Sequence, residues 1–430
     1  MTDNEIFFIR DESGPIIYAP LTGFSARVND LCIEVVERRA AGEKELPEDK
    51  TILEYLESFG LFDKVELPKR NPERPVELTL FPSDGCNLGC IYCYADCNEI
   101  KHIMPLQMGK DAIDLIIKKA KEKNDGTVVI KFHGNGEPFT AFEVVKELSG
   151  YAKEKAAEQG ITVILTVVSN GFWNKEILSW VIEELDDISI SFDGNMEVQN
   201  LQRPTLSGKE SFTVVDNVLR KLSEHKKSFG IKVTVTAGSI AKITDIAEHI
   251  SNAYPGCRWV QFEPVWNTGR FSGTVNDEFD YDRFAEEFIR ADKLYGDLIH
   301  PVYATADIDN LRICHCEVSN DQMILTAQGL FSACYEVYDN ADPRSNVFVY
   351  GRYGEKSGSF TFDEKIQEAL HELNIYNRTY CKDCFCKYHC AGDCSAKLCY
   401  GSGMDSFNGS KRCKATRKIT AYLIGKRLPV

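Results

Sequence analysis

No run of eighteen consecutive apolar residues occurs in the 430-residue chain, so no membrane-spanning helix is expected. The opening "MTDNEIFFIRDESGP" lacks a basic region followed by a long apolar core. No secretion signal is expected, and the chain is read as cytoplasmic with no membrane partner. Basic charge is in deficit: 50 Lys and Arg stand against 65 Asp and Glu, a formal charge of −15. A field of that sign excludes bulk nucleic acid as the natural partner but tolerates a peptide that carries lysine or arginine. Low-complexity tracts are missing too. Hydrophobic residues at 43% and charged residues at 27% are ordinary globular proportions, and the length suggests several domains.

Cysteine, by contrast, is plentiful, with sixteen in the chain. In a reducing compartment disulfides are rare, so tightly spaced cysteines point to metal or cluster ligands. Their distribution is uneven: Cys32 alone precedes residue 86, and Cys257 alone lies between Cys97 and Cys314.

Three regions follow. Residues 1–72 hold the strand-like runs "EIFFIR" and "PIIYAPL", then the helical patterns "ARVNDLCIEVVERRA" and "DKTILEYLESFGLF", and end in the proline-rich "PKRNPERP". Residues 73–305 alternate strand and helix. The strands expected are 76–81, 128–133, 161–168, 187–192, 231–237 and 258–264. Apolar, β-branched strands separated by helices indicate an α/β fold with a parallel sheet, either doubly wound or a partial barrel. Residues 306–430 read as loop-rich, with metal supplying stability that a core does not.

The loop after the first of these strands reads "DGCNLGCIYCYADCNE". Cys86, Cys90 and Cys93 give C-x3-C-x2-C, with Tyr92 before the last. Three thiolates leave one coordination position open, the mark of a reactive rather than a closed metal site. A zinc loop or a ferredoxin-like loop is the plainer alternative. Polar residues then recur after successive strands: "HGNGEP" with Gly134, Asn135, Gly136 and Glu137; "VVSNG" with Ser169 and Asn170; "SISFDG" with Ser191 and Asp193; and Arg203 in "NLQRP".

This ordered set resembles the radical S-adenosylmethionine (radical SAM) superfamily. The resemblance implies a partial (β/α)6 barrel in which Cys86, Cys90 and Cys93 hold a [4Fe–4S] cluster whose open iron takes SAM. Tyr92 would flank the adenine. Residues 134–137 would meet the SAM amino group, and Ser169 and Asn170 its ribose or carboxylate. Ser191, Asp193 and Arg203 complete the cofactor-binding set. Asn135 inside the glycine run departs from the family's pattern. Cys97 is not expected to ligate, because a fourth thiolate would block SAM.

The tail spells C-x2-C-x5-C-x3-C through Cys381, Cys384, Cys390 and Cys394, preceded by Cys314, Cys316 and Cys334 and followed by Cys413. This resembles the SPASM extension of radical SAM enzymes, which carries two auxiliary [4Fe–4S] clusters and so implies three in all. One would use Cys381, Cys384, Cys390 and Cys413. The other would use Cys334, Cys394 and one or both of Cys314 and Cys316. Two zinc sites are the alternative. Cys386 and Cys399 fall outside the pattern. Residues 1–72 loosely resemble a winged-helix-like module for gripping a leader peptide, with "FFIRD" or "IIYAP" offering a sheet edge.

The reading that results is a maturase of a ribosomally made precursor peptide, installing a thioether or a carbon–carbon crosslink and reduced by a flavodoxin- or ferredoxin-like donor. Glu336 is the candidate proton acceptor. An anaerobic sulfatase-maturating enzyme is the alternative within the family. A non-catalytic iron–sulfur or zinc scaffold is the alternative outside it.

Overall fold

A computed structural model describes residues 5–70, 75–97, 100–271, 279–398 and 409–429. These residues divide into two compact units that do not follow chain order. One unit joins the described residues within 5–70, 304–315 and 374–429, and the other joins those within 75–303 and 316–373.

The smaller unit is built on an antiparallel sheet in the order β1 (Phe7–Asp11), β2 (Gly14–Ala19), β3 (Phe24–Arg27), followed by helices α1 (Asp30–Ala40) and α2 (Asp49–Ser58). Side chains alternate across a strand, and β2 uses both faces. Ile17 and Ala19 pack with Val36, Leu56 and Leu61. Ile16 and Tyr18 pack with Ile9 and with Ile424 of the C-terminal helix Lys411–Lys426. Asn29 starts α1 by accepting a hydrogen bond from the Cys32 amide at 2.9 Å. The Arg27 guanidinium meets Asp11 at 2.7 Å through both nitrogens and donates to the Gly425 carbonyl at 3.0 Å.

The larger unit contains the strands expected from the sequence: β4 (Val76–Leu80), β5 (Thr127–Phe132), β6 (Thr162–Ser169), β7 (Asp187–Ser191), β8 (Phe229–Val235) and β9 (Cys257–Pro264), with β10 (Pro301–Val302) after them. They lie side by side in chain order, every pair parallel. The fold is therefore α/β with a parallel sheet, as the strand pattern implies. Helices between strands include α3 (Leu106–Lys123), which stops where Asn124 turns left-handed at φ +57°.

The two sheet faces differ. Ile130, Phe132, Leu165, Val167, Ile188 and Ile190 on one face are at most 1% exposed. The alternate residues face the other way and are half-buried and often polar: Lys131, Thr166, Ser191, Lys232, Gln261 and Glu263. A face that keeps polar groups at the strand ends is where parallel α/β sheets place chemistry.

One region departs from its loop-rich expectation. β11 (Met323–Leu325), β12 (Leu330–Ser332), β13 (Val349–Gly354) and β14 (Ser359–Phe362) extend the barrel sheet from β4, with β11 parallel to it. Strands of three to six residues carry too little alternation to stand out from loops.

Candidate functional site

The cysteine loop leaves β4 and is pinned at its base. The Ser83 hydroxyl accepts from the Gly85 amide at 3.0 Å. Asp84 accepts from the Lys101 and His102 amides at 2.8 and 2.9 Å. The glycine run after β5 packs directly on this turn: the Glu137 amide donates to the Gly85 carbonyl at 2.7 Å, and a side chain at Gly136 would sit 2.1 Å from that same oxygen. Only glycine permits the approach.

Two more segments hold the loop. After β7, the Gly89 amide donates to the Pro204 carbonyl at 2.7 Å and the Ile91 amide to the Gln202 carbonyl at 3.0 Å. After β9, the Arg270 guanidinium donates to the carbonyls of Cys90 at 2.8 Å and Cys97 at 3.2 Å and pairs with Asp96 at 2.8 Å. The Arg270 amide adds a bond to the Cys93 carbonyl at 2.9 Å. Gly269 makes this possible, since its φ is +59° and a side chain there would lie 2.4 Å from the Cys93 oxygen.

Behind the loop, Glu137 joins β5 to β6. It accepts from the Ser169 hydroxyl at 2.7 Å, the Asn170 amide at 2.8 Å and the Phe139 amide at 3.3 Å. Burial pushes its carboxyl pKa up, with these donors opposing. Asn170 extends its amide to Asn87 at 2.7 Å and to the Cys86 sulfur at 3.7 Å.

At the tip of β7, Asp193 accepts from the Thr234 amide at 3.0 Å, from Gln202 at 2.8 Å and from the Tyr92 hydroxyl. Arg203 donates to Tyr92 at 2.6 Å and lies 3.4 Å from Asp193. The carboxylate that Arg203 meets is thus one of the chain's own. Ser191 faces the half-buried side of the sheet, in register with Lys232.

Cys86, Cys90 and Cys93 are half-buried and lie within electrostatic reach of one another. Among the described residues, no three Cys, His, Asp or Glu side chains converge on a single metal-ion point. A cube does not require that convergence, because each thiolate binds a separate iron. An all-sulfur donor set on a loop cradled by glycine fits an iron–sulfur group. Cys97 is buried and donates to the Asn135 carbonyl. It also reaches Cys93 and favours that neighbour's thiolate, holding its pKa below the usual thiol value.

In the smaller unit, Cys381, Cys384, Cys390 and Cys413 sense one another's charge and form one group of thiols. Cys386, and then Arg417, hold the Cys384 pKa below the usual thiol value. Their loop is locked by the buried pair Arg412–Asp393 at 3.0 Å and by Arg378, which donates to the Gly392 carbonyl and to Ser395 at 2.8 Å. Cys314 and Cys394 belong to this unit, whereas Cys316 and Cys334 belong to the larger one. Cys316 is exposed, with φ +47°, and Cys334 is buried. Cys399 lies outside the described residues. Glu336 is half-buried, 3.4 Å from Arg344, which also grips Asp342 at 2.8 Å. Its neighbours reach the first loop: Tyr94 donates to the Tyr335 carbonyl at 3.4 Å, and Tyr338 to the Ala95 carbonyl at 3.1 Å.

Three contributors are absent from the sequence-based set. Arg270 follows a strand in "NTGRF", where a glycine–arginine pair carries no periodic signal. Lys131 and Lys232 had a clear one: each is a lone charge inside an apolar strand, "VVIKFH" and "IKVTV".

Residues 80–250 match the Radical SAM superfamily. The chain is 24% identical over 241 residues to a cysteine-type anaerobic sulfatase-maturating enzyme of Clostridium perfringens, a match covering 53% of this chain and 62% of that enzyme. The chain spans only 57% and 62% of the first two curated relatives it matches. Native anSMEcpe with bound AdoMet and the Kp18Cys peptide superposes with a TM-score of 0.65 at 17% identity, covering 82% of this chain and 98% of that one. Streptococcus suis SuiB bound to precursor peptide SuiA superposes with a TM-score of 0.54 at 14% identity, covering 95% of this chain and 98% of that one. At these identities the two superpositions show the fold.

Proposed function

We propose, from the premise that this chain is an enzyme built on a radical SAM domain, that it matures a ribosomally made peptide by hydrogen abstraction and closes a thioether or carbon–carbon crosslink. The observation that carries the peptide reading is a groove of about 1010 Å³ beside β3, lined by that strand, the start of α1 and the Thr51, Tyr55 and Phe59 side of α2. β3 is an edge strand, so a peptide can add to it as a further strand and seat apolar side chains in the groove. Tyr55 and Phe59 are 65% and 59% exposed and meet edge to face at 5.0 Å. "FFIRD" (β1) is the opposite edge. "IIYAP" cannot serve, because β2 is paired on both sides.

Cys86, Cys90 and Cys93 would hold the first cluster, and the segments after β5, β6 and β7 would hold SAM. When bound, these groups supply reductive cleavage to a 5′-deoxyadenosyl radical that takes a hydrogen atom from substrate. Arg270 and the 202–204 segment fix the cysteine loop. Tyr92 is oriented by Asp193 and Arg203. Crosslinking also releases a proton and an electron beyond the abstracted atom. Glu336, held by Arg344, is the proposed proton acceptor, and a flavodoxin- or ferredoxin-like protein is the expected reductant.

The test is anaerobic reconstitution with SAM and dithionite, with and without any short peptide found encoded beside the gene. Release of 5′-deoxyadenosine and loss of a hydrogen pair per crosslink support the proposal, and no 5′-deoxyadenosine ends it. Formylglycine at a cysteine or serine would establish instead the sulfatase-maturating reading, which the Clostridium perfringens similarity favours.

A further inference from the structure

The half-buried face of the barrel sheet carries a charge with no counter-ion in contact. Lys131 on β5 is paired with Glu77 on β4 at 2.6 Å. Asp187 at the start of β7 is paired with Arg258 on β9. The Lys232 ammonium, on β8, makes no hydrogen bond and no ion pair among the described residues. Glu263 and Asp187 act on it only through space, and Lys131 opposes its charge. On the same face, Thr166 has a buried hydroxyl without a partner, and Ser191 stands beside Lys232 in register.

An ammonium in this position is costly, since long charged side chains are rarely buried unpaired. An apolar residue would serve the sheet better. The burial and the Lys131 charge lower the Lys232 pKa to about 8. Both lysines, together with burial, lower that of His133, at the β5 strand end, to about 3. Burial is the main cause of both shifts, and the Lys131 charge adds to each.

We propose that Lys232 is a carboxylate-binding subsite of the barrel, reading an acidic group close to the peptide residue that is modified. The proposal rests on the peptide-maturase reading. Ser191 supplies a neutral donor beside the ammonium. The carboxylate belongs either to an aspartate or glutamate side chain or to a peptide C-terminus.

The test uses the full-length, anaerobically reconstituted protein with SAM, titrated calorimetrically with three alanine-based pentapeptides. One is blocked at both ends with a central aspartate, one is blocked with a central asparagine, and one is all-alanine with a free C-terminal carboxylate. One acidic peptide is expected to bind about tenfold more tightly than the asparagine peptide. Lys232→Met removes the preference and Lys232→Arg retains it. Preference for the aspartate peptide assigns a side-chain carboxylate, and preference for the free acid assigns a chain terminus. Lys232 is charged below its pKa, so the preference holds below about pH 8 and fades above it. The apo Lys232→Met variant also melts no lower than wild type, as a purely structural lysine would not allow. Equal binding of all three peptides by the wild type overturns the subsite. Release of 5′-deoxyadenosine, measured on the same preparation without peptide, reports on the maturase reading independently of Lys232.

Discussion

The two cysteine-rich stretches of this chain are built to different standards. The loop with Cys86, Cys90 and Cys93 is positioned by others. Backbone groups of residues 85, 89, 91 and 93 bond to segments that follow β5, β7 and β9. The stretch from Cys381 to Cys394 adds turns of its own, Cys384 to Cys381 and Cys390 to Cys386, and is held from outside mainly by side chains: Arg412 on Asp393, Arg378 on Ser395, and Tyr18 and Arg312 on His389. The first has three thiols for its proposed cluster, and the second has three and is joined by Cys413 as a fourth. A site that must leave a coordination position open needs its geometry imposed from outside, whereas a closed site can let the metal impose it.

Ligand replacement tests that contrast most severely. Cys86→Ala, Cys90→Ala or Cys93→Ala is expected to abolish 5′-deoxyadenosine release outright. Cys381→Ala or Cys390→Ala should lower iron content but leave SAM cleavage measurable. Equal loss in both groups would erase the distinction. Next in size is the buried pair in the second stretch. Arg412→Met strands Asp393, 3% exposed, without its partner, and should cost about 3–5 kcal/mol of stability. Thermal unfolding checks this, and limited proteolysis should show new cuts within 374–398 while the β4–β9 sheet stays intact. In the first stretch, Arg270→Gln should lower retention of the SAM-binding cluster about 10–100-fold, as for residues that support metal ligands without binding the metal. The 410 nm absorbance and the iron content after desalting read it.

How much of this was legible in sequence depends on distance along the chain. The strands β4 to β9 stood out because β-branched and apolar residues mark them. The clustering of polar residues was legible because successive strand ends converge in a parallel sheet, and Tyr92, Asp193 and Arg203 do meet one another. The joining of residues within 5–70 with those within 374–429 left no local trace. It depends on contacts such as that of Tyr18 with His389, both buried and far apart in sequence, and neither carries a local signal of the other. Arg270 was hidden for the same reason, since its partners lie in a loop nearly two hundred positions earlier.

The smallest expected effect sharpens the comparison best. Each stretch has one cysteine beyond its proposed ligands, buried and hydrogen-bonded to a neighbour that is one: Cys97 to Cys93, and Cys386 to Cys384. In both pairs the donated hydrogen bond favours the partner's thiolate, the form that binds metal. Cys97 also bonds to the Asn135 carbonyl, so its one proton serves two acceptors. Cys97→Ala therefore removes a support and not a ligand. It should spare 5′-deoxyadenosine release to within a few-fold and shift the cluster's reduction midpoint, because hydrogen bonds to cluster sulfurs tune potential. Cys386→Ala should do the same for the second group without touching SAM cleavage. If Cys97→Ala loses its cluster as Cys93→Ala does, Cys97 is a ligand, and the three-thiol reading of the first loop fails while the four-thiol reading of the second stands.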